Sequence, residues 1–359
     1  MFENGGHRGC NLSIDLKDLR EHRLITCPAC GCAAPPKKKF SVAADEAAQH
    51  FVLAEADQIG HARLVDHICS LWHSSSCEIV ECINCRLGFA WPFVAGDGEF
   101  YNLAWPHSDY PKTKWEFSTT VDALAKADNG DKRALEIGSG FGYFLKHVSP
   151  RFFDQRNIVA IEYNDTASAR LKANGYTVFQ KDIRSEEFDK FDKAFDCVFM
   201  FQVLEHMDDL DELVVRLRFV TKEHADVFVA VPNPKLVEFN ERHGSLLLEM
   251  PPNHISCWKE KSFVAFGAKA GFDVLEFQEE PMSWLAFLKQ DILFSYLQRC
   301  QRSGSLENRI RSKRKTSFRR TEEAVLAVLA SPRRFRAWIA AALGGLGLGG
   351  SVWVHLRRN

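Results

Sequence analysis

Lys132-Arg-Ala-Leu-Glu-Ile-Gly-Ser-Gly-Phe-Gly-Tyr-Phe-Leu145 decides the fold. Ala134 to Ile137 has the apolar run of a short buried strand, and 143–148 opens a helix. Between them Gly138, Ser139, Gly140, Phe141 and Gly142 make a turn whose glycines let the backbone approach a ligand closely. Strand, glycine loop and helix in this order open a nucleotide-binding α/β unit. The spacing is G-x-G-x-G, and no Lys-Ser or Lys-Thr follows, which argues against a phosphate-gripping loop. Glu136, just before the loop, would repel a pyrophosphate and suits a cationic ligand such as a sulfonium carrying an amino group.

The next segments repeat the pattern. Residues 157–163 form a second buried strand ending in Glu162 and Tyr163, where a carboxylate suits ribose hydroxyls. A helix over 166–173, Gly175 and a third strand over 177–180 lead to Asp182 and Ile183. A fourth strand over 195–201 runs into Gln202-Val-Leu-Glu-His206. This ordered set, from about 134 to 280, resembles the class I S-adenosylmethionine-dependent methyltransferases. The resemblance implies that the glycine loop passes under the methionine part of the cofactor. It also implies that Glu162 binds ribose, that Asp182 and Ile183 flank adenine, and that Glu136, Tyr163 and Gln202 complete the cofactor site.

Upstream lie Cys27-Pro-Ala-Cys30-Gly-Cys32 and Cys82-Ile-Asn-Cys85. Two C-x-x-C pairs can supply four thiolates to a tetrahedral, structural zinc, with Cys27, Cys30, Cys82 and Cys85 as ligands. Cys32 is near enough to replace one of them, so the ligand set stays open. The gap between the pairs carries a helical insert over 43–72. Such a region ahead of a methyltransferase core looks like a bacterial group found among sugar-tailoring and surface-polysaccharide enzymes, from which the long insert departs.

Residues 90–118 are rich in aromatic side chains, and Tyr110 and Trp115 are expected to wall a substrate pocket, with interdomain core as the competing reading. A helix over 114–127 leads into the first strand. A fifth strand over 225–231 ends in Pro232-Asn-Pro234, read as a loop. Met250-Pro-Pro-Asn-His254 resembles the family's loop over the active site. His254 is the first candidate for general base, since its ordinary pKa lies near neutrality. His206 is the second, with helix capping or packing competing.

The chain has 359 residues, 46% of them hydrophobic, with formal charge −1, so no global charge argues for nucleic acid. Eleven Cys without a signal pattern point to a reducing, cytoplasmic setting. The basic run over 301–320 could meet a membrane surface or a polyanion. Five glycines interrupt the uncharged stretch over 337–356, which argues against a membrane span, and 351–356 is read as the last strand of the sheet.

The expected architecture is a doubly wound, Rossmann-like seven-stranded sheet. An N-terminal zinc module occupies 1–112, the methyltransferase core 113–280, a helical basic insert 281–345 and a terminal strand 346–359. The expected reaction is methyl transfer to a small molecule, such as a sugar, nucleotide-sugar or glycan intermediate. Methylation of RNA or protein, with the zinc module and basic run as docking surfaces, and a non-catalytic scaffold are the alternatives.

Overall fold

The computed structural model describes residues 25–104, 111–126, 131–149, 151–243, 250–289, 291, 338–339 and 348–359. Its centre is a seven-stranded mixed sheet. β4 (Ala134–Ile137) and β5 (Ile158–Ile161) are fully buried four-residue strands of mostly branched apolar residues, as strands covered on both faces require. β6 (Thr177–Phe179), β7 (Phe195–Phe201) and β8 (Thr221–Pro232) run parallel to them. β10 (Phe272–Glu279) and β11 (Ser351–Arg358) complete the order β10-β11-β8-β7-β4-β5-β6. β11 lies antiparallel to both neighbours, as expected for the terminal strand.

Alternation along the strands builds two cores. Val198 and Met200 of β7, Val227, Val229 and Val231 of β8, and Val352, Val354 and Leu356 of β11 fill one face. Phe199, Phe201, Phe228, Ala230 and Trp353 fill the other, with Phe117 and Phe144. Trp353 is fully buried, and its indole N–H donates to Thr120 Oγ1 at 2.8 Å, so its polar atom is satisfied.

Helices connect the strands. α4 (Trp115–Leu124) precedes β4, and α5 (Tyr143–Val148) follows it. α6 (Asp165–Ala173) starts where Asn164 Oδ1 accepts from the Ala167 N–H, and α7 (Leu210–Val220) starts at the Asp209 cap with Asp211 and Glu212 in its first turn. α8 (Pro234–His243) corrects the reading of Pro232-Asn-Pro234 as a loop. Pro234 is the first helical residue, where its missing N–H costs nothing, and Asn233 Oδ1 accepts from the Lys235 N–H at 3.0 Å. α9 (Glu260–Ala270) ends at Gly271 in the left-handed region.

A second, four-stranded sheet comes from the N-terminal segment. β1 (Lys37–Ala43), β2 (Ser76–Glu81) and β3 (Gly88–Trp91) form an antiparallel meander. α1 (Ala44–Phe51) and α2 (Gln58–Trp72) join β1 to β2 and occupy the insert expected to be helical. α3 (Gly98–Ala104) follows β3. The fourth strand is β9 (Ser256–Cys257), from the loop after α8, which pairs with β3 through Phe89↔Ser256 and Gly88↔Cys257. The two sheets also share a core: Ala29, Val80, Leu87 and Phe89 join the cluster that covers one face of the larger sheet.

Residues 284–289 are helical; the rest of the expected basic insert lies almost entirely outside the described residues, as does the whole basic run over 301–320. Among the described residues no helix is long and apolar enough to cross a membrane.

Asp226 pins β11 to β8. Its Oδ1 accepts from the Arg357 guanidinium at 2.8 and 2.9 Å and lies 2.8 Å from His355 Nε2. Burial raises the carboxyl's pKa, but the hydrogen bonds and charges of His355 and Arg357 outweigh it and hold it below the ordinary range. A depressed carboxylate stabilises the fold above its unfolded value near about 4, and that contribution is lost as pH falls through the lower folded value. Asp226→Ala is expected to cost about 3 kcal/mol near neutrality, as for one member of a largely buried pair. Urea melts should show the gap from wild type closing in acid; a gap independent of pH would contradict this role.

Candidate active site

The glycine loop is built at the carboxyl ends of the parallel strands, where doubly wound sheets bind ligands. The Gly138 and Ser139 N–H groups both donate to the Ile161 carbonyl, at 2.9 and 3.0 Å, which folds the loop back against β5. Gly138 and Gly142 lie at φ 77° and 72°. A Cβ at Gly138 would meet Val203 Cγ2 at 2.4 Å, and one at Gly142 would meet Leu171 Cδ2 at 2.5 Å. Only glycine fits both the conformation and the space.

Two buried carboxylates face this loop. Glu162, at the tip of β5, accepts from the Gly140 N–H at 2.6 Å and from the Asn164 N–H at 2.8 Å, so it locks the loop to the start of α6. Glu136 is buried, and its Oε2 has no hydrogen-bond partner among the described residues. Burial, followed by the neighbouring charge of Glu162, pushes its pKa well up, while Lys114 pulls the other way. A cationic group placed beside Glu136 would satisfy that oxygen and compensate its burial. The glycine cradle and the orphaned carboxylate oxygen fit the methionine end of S-adenosylmethionine, which carries a sulfonium and an amino group.

The other expected cofactor residues occupy the same end of the sheet. Tyr163 is exposed and donates its hydroxyl to Asp182 at 3.0 Å. Asp182 is also gripped by Arg184 at 2.7 and 2.8 Å, and these bonds outweigh burial to hold its pKa low. Ile183 is buried in the core cluster on that face. Phe141 lies under the Arg170 guanidinium, 5.0 Å from the ring centroid. Ser139 Oγ donates to the Glu136 carbonyl at 3.2 Å. Gln202 ends β7 in the left-handed region, and its amide donates to Ser351 Oγ at 3.1 Å and Glu116 Oε1 at 3.3 Å.

Beyond Gln202 the chain makes a short 3-10 turn, Leu204–His206, that brings the two candidate histidines together. The His206 and His254 rings lie 4.5 Å apart at 76°. His206 has no capping role: its Nδ1 is 2.8 Å from the Asn253 carbonyl and 3.1 Å from the Tyr101 hydroxyl. Burial, then the charges of His254 and Lys114, lower its pKa to about 3, so the ring is neutral. The charge of Lys114 bears on both Glu136 and His206. Backbone bonds hold the His254 loop: the Ile255 N–H donates to the Glu205 carbonyl and the Ala90 N–H to the Ile255 carbonyl, both at 2.9 Å. Trp115 is half-buried against the core cluster of Phe117 and Phe144. Tyr110 lies outside the described residues.

Glu205, Tyr101, Lys114 and Glu116 received no role from the sequence. Glu205 is fully buried and Glu116 nearly so. A charged residue in the short turn that follows a buried strand, as at Glu205, is the signal that could have drawn attention to one of them.

The four cysteines of the two C-x-x-C pairs meet. Cys27 and Cys85 Sγ lie 3.6 Å apart, Cys30 and Cys82 Sγ 3.7 Å apart, and all four sulfurs fall within 4.8 Å of one another. A tetrahedron of thiolates with zinc–sulfur bonds of 2.3 Å has edges of about 3.8 Å, which this cluster matches. Cys32 is outside the group. Each knuckle turns on one left-handed residue, Gly31 and Arg86.

Residues 113–277 match the family model described as a methyltransferase domain. Structures with a similar fold include a S-adenosylmethionine-dependent methyltransferase from Archaeoglobus fulgidus, 16% identical, covering 73% of this chain and 100% of that one at a TM-score of 0.42. Another is geranyl diphosphate C-methyltransferase from Streptomyces coelicolor, 11% identical, covering 67% of this chain and 77% of that one at a TM-score of 0.40. Likeness at this level carries no argument about substrate. Comparison with curated proteins gives no match. By the family match the segment from 113 to 277 is a methyltransferase domain, which supports S-adenosylmethionine-dependent methyl transfer as its reaction class.

Hydrogen bonds to a charged group contribute about 1.5–3 kcal/mol. Glu162→Ala removes the loop lock and the carboxylate expected to accept from ribose, so affinity for S-adenosylmethionine should fall by at least about tenfold in calorimetric titration. Unchanged affinity in a folded variant would remove Glu162 from the cofactor site.

Proposed function

We propose that this enzyme methylates a hydroxyl of a small polar acceptor, such as a sugar, nucleotide-sugar or glycan intermediate. The observation that carries the reading is the cleft between the N-terminal sheet and α8. Its empty volume, open mouth included, is ≈ 570 Å³, and its lining includes Lys39, Glu81, Glu238, Glu241, His254 and Lys259. Lys259 Nζ lies 2.9 Å from Glu81 and 2.6 Å from Glu238, and Lys39 pairs with Glu241. Charged side chains held in pairs offer both donors and acceptors to a hydroxyl-rich ligand.

S-adenosylmethionine, when bound, supplies an already activated methyl group, so the protein's task is placement. Glu136 and the glycine loop hold the cationic end, and Glu162 holds the ribose. His254, which lines the cleft, and His206 beside it receive the acceptor hydroxyl. The pairing of β9 with β3 fixes the His254 loop, which keeps the acceptor in line with the methyl group and limits access of water. The expectation is incorporation of labelled methyl into a sugar-containing acceptor. His254→Ala should lower turnover about a hundredfold or more, as loss of a group that positions the reacting hydroxyl does. Transfer to RNA or protein alone, with sugars inert, would contradict the acceptor class.

We further propose that Cys27, Cys30, Cys82 and Cys85 bind a structural zinc, which closes the module that supports the His254 loop. Four thiolates fill the coordination sphere and leave no position for substrate. Cys27→Ser combined with Cys85→Ser should remove one zinc per chain by elemental analysis and lower the melting temperature. An unchanged zinc content would contradict the site.

A further inference from the structure

A second group of metal-ligating side chains lies apart from the cysteines. One carboxylate oxygen of Glu205 and one ring nitrogen each of His206 and His254 fall within 4.8 Å of one another. The three ligands come from two elements: the 3-10 turn after β7 and the loop that ends in β9.

The proton on His206 can be placed from its partners. Nδ1 is 2.8 Å from the Asn253 carbonyl, and a carbonyl only accepts, so Nδ1 carries the hydrogen. In the neutral ring Nε2 then keeps its lone pair. That Nε2 faces Glu205 Oε1 at 3.9 Å. Two electron-pair donors aimed at one space can share a cation. A backbone carbonyl on Nδ1 that frees Nε2 is also the arrangement that orients metal-ligating histidines. Glu205 is fully buried, so an ion held there would be shielded from bulk water on that side. His254 lines the acceptor cleft, so the third donor stands where the cluster opens toward a ligand.

We propose that Glu205, His206 and His254 bind a divalent first-row transition-metal ion that holds and activates the acceptor hydroxyl. Two imidazoles and one carboxylate suit such an ion and leave coordination positions for oxygen ligands. This rests on the methyl-transfer reading and deepens it. The acceptor hydroxyl, bound to the ion, becomes more acidic and releases its proton to water in the open cleft. The acceptor oxygen then forms its bond to the methyl carbon while the carbon–sulfur bond breaks, and sulfur keeps the electron pair. His206 and His254 act as ligands in this account, and the proton leaves without a protein base.

The test is a metal count on the full-length, zinc-loaded protein. Metal content is measured by elemental analysis, and Mn²⁺ is then titrated in with the free ion followed by electron paramagnetic resonance. Mn²⁺ stands lowest in the affinity series and does not displace zinc from thiolates. Wild type should hold one divalent ion more per chain than His254→Ala and Glu205→Gln, or bind Mn²⁺ at least about tenfold more tightly than they do. His206→Ala serves as the further variant if circular dichroism shows that Glu205→Gln does not fold. Equal counts and equal Mn²⁺ affinity in wild type and folded variants overturn the site. Titration with S-adenosylmethionine separates the two claims. Wild type that binds the extra ion but no S-adenosylmethionine removes the methyl-transfer reading and leaves the metal site. Wild type that binds S-adenosylmethionine but no extra ion removes the metal site alone.

Discussion

The pairing of Phe89 with Ser256 and of Gly88 with Cys257 holds the two halves of the site together. It is a two-residue strand, too short to persist by itself. It forms because the knuckle turn between Cys82 and Gly88 presents the edge of β3, and because Trp258, fully buried just after β9, anchors the loop in the shared core. The loop that carries His254 is thereby tied on one side to the N-terminal sheet and on the other to the Glu205 carbonyl. The N-terminal module thus supports the loop that carries His254.

Electrostatics divide the site into two ends. At one end Glu136 and Glu162 are buried around a glycine loop, an arrangement that a cationic ligand compensates. At the other end a buried carboxylate and two imidazoles converge. The charge of Lys114 bears on groups at both ends. Methyl transfer needs this geometry: a cation held at one point and a nucleophile brought into line with it.

Local signals made the larger sheet legible. β4, α5 and β7 fall where the residue patterns place them, because short apolar runs bounded by glycines or polar residues leave little choice. The terminal strand was readable for a similar reason, since Ser351 to Leu356 is a β-branched and aromatic run after a glycine-rich stretch. Pro234 was misread because a proline after a strand signals either a loop or the first turn of a helix, and only the cap made by Asn233 decides. The β3–β9 pairing, the Tyr101–His206 bond and the charge of Lys114 near Glu136 join residues far apart in the chain. No periodicity records such contacts. The four cysteines were legible as a set, but the exclusion of Cys32 needed the geometry.

Hydrogen–deuterium exchange with and without S-adenosylhomocysteine tests the central claim most directly, namely that the glycine cradle and the histidine loop form one site. The account predicts slower exchange on ligand addition at 138–142 and 162–164, and also at 204–206 and 250–257. Protection confined to the glycine loop, with the histidine segments unaffected, would contradict it.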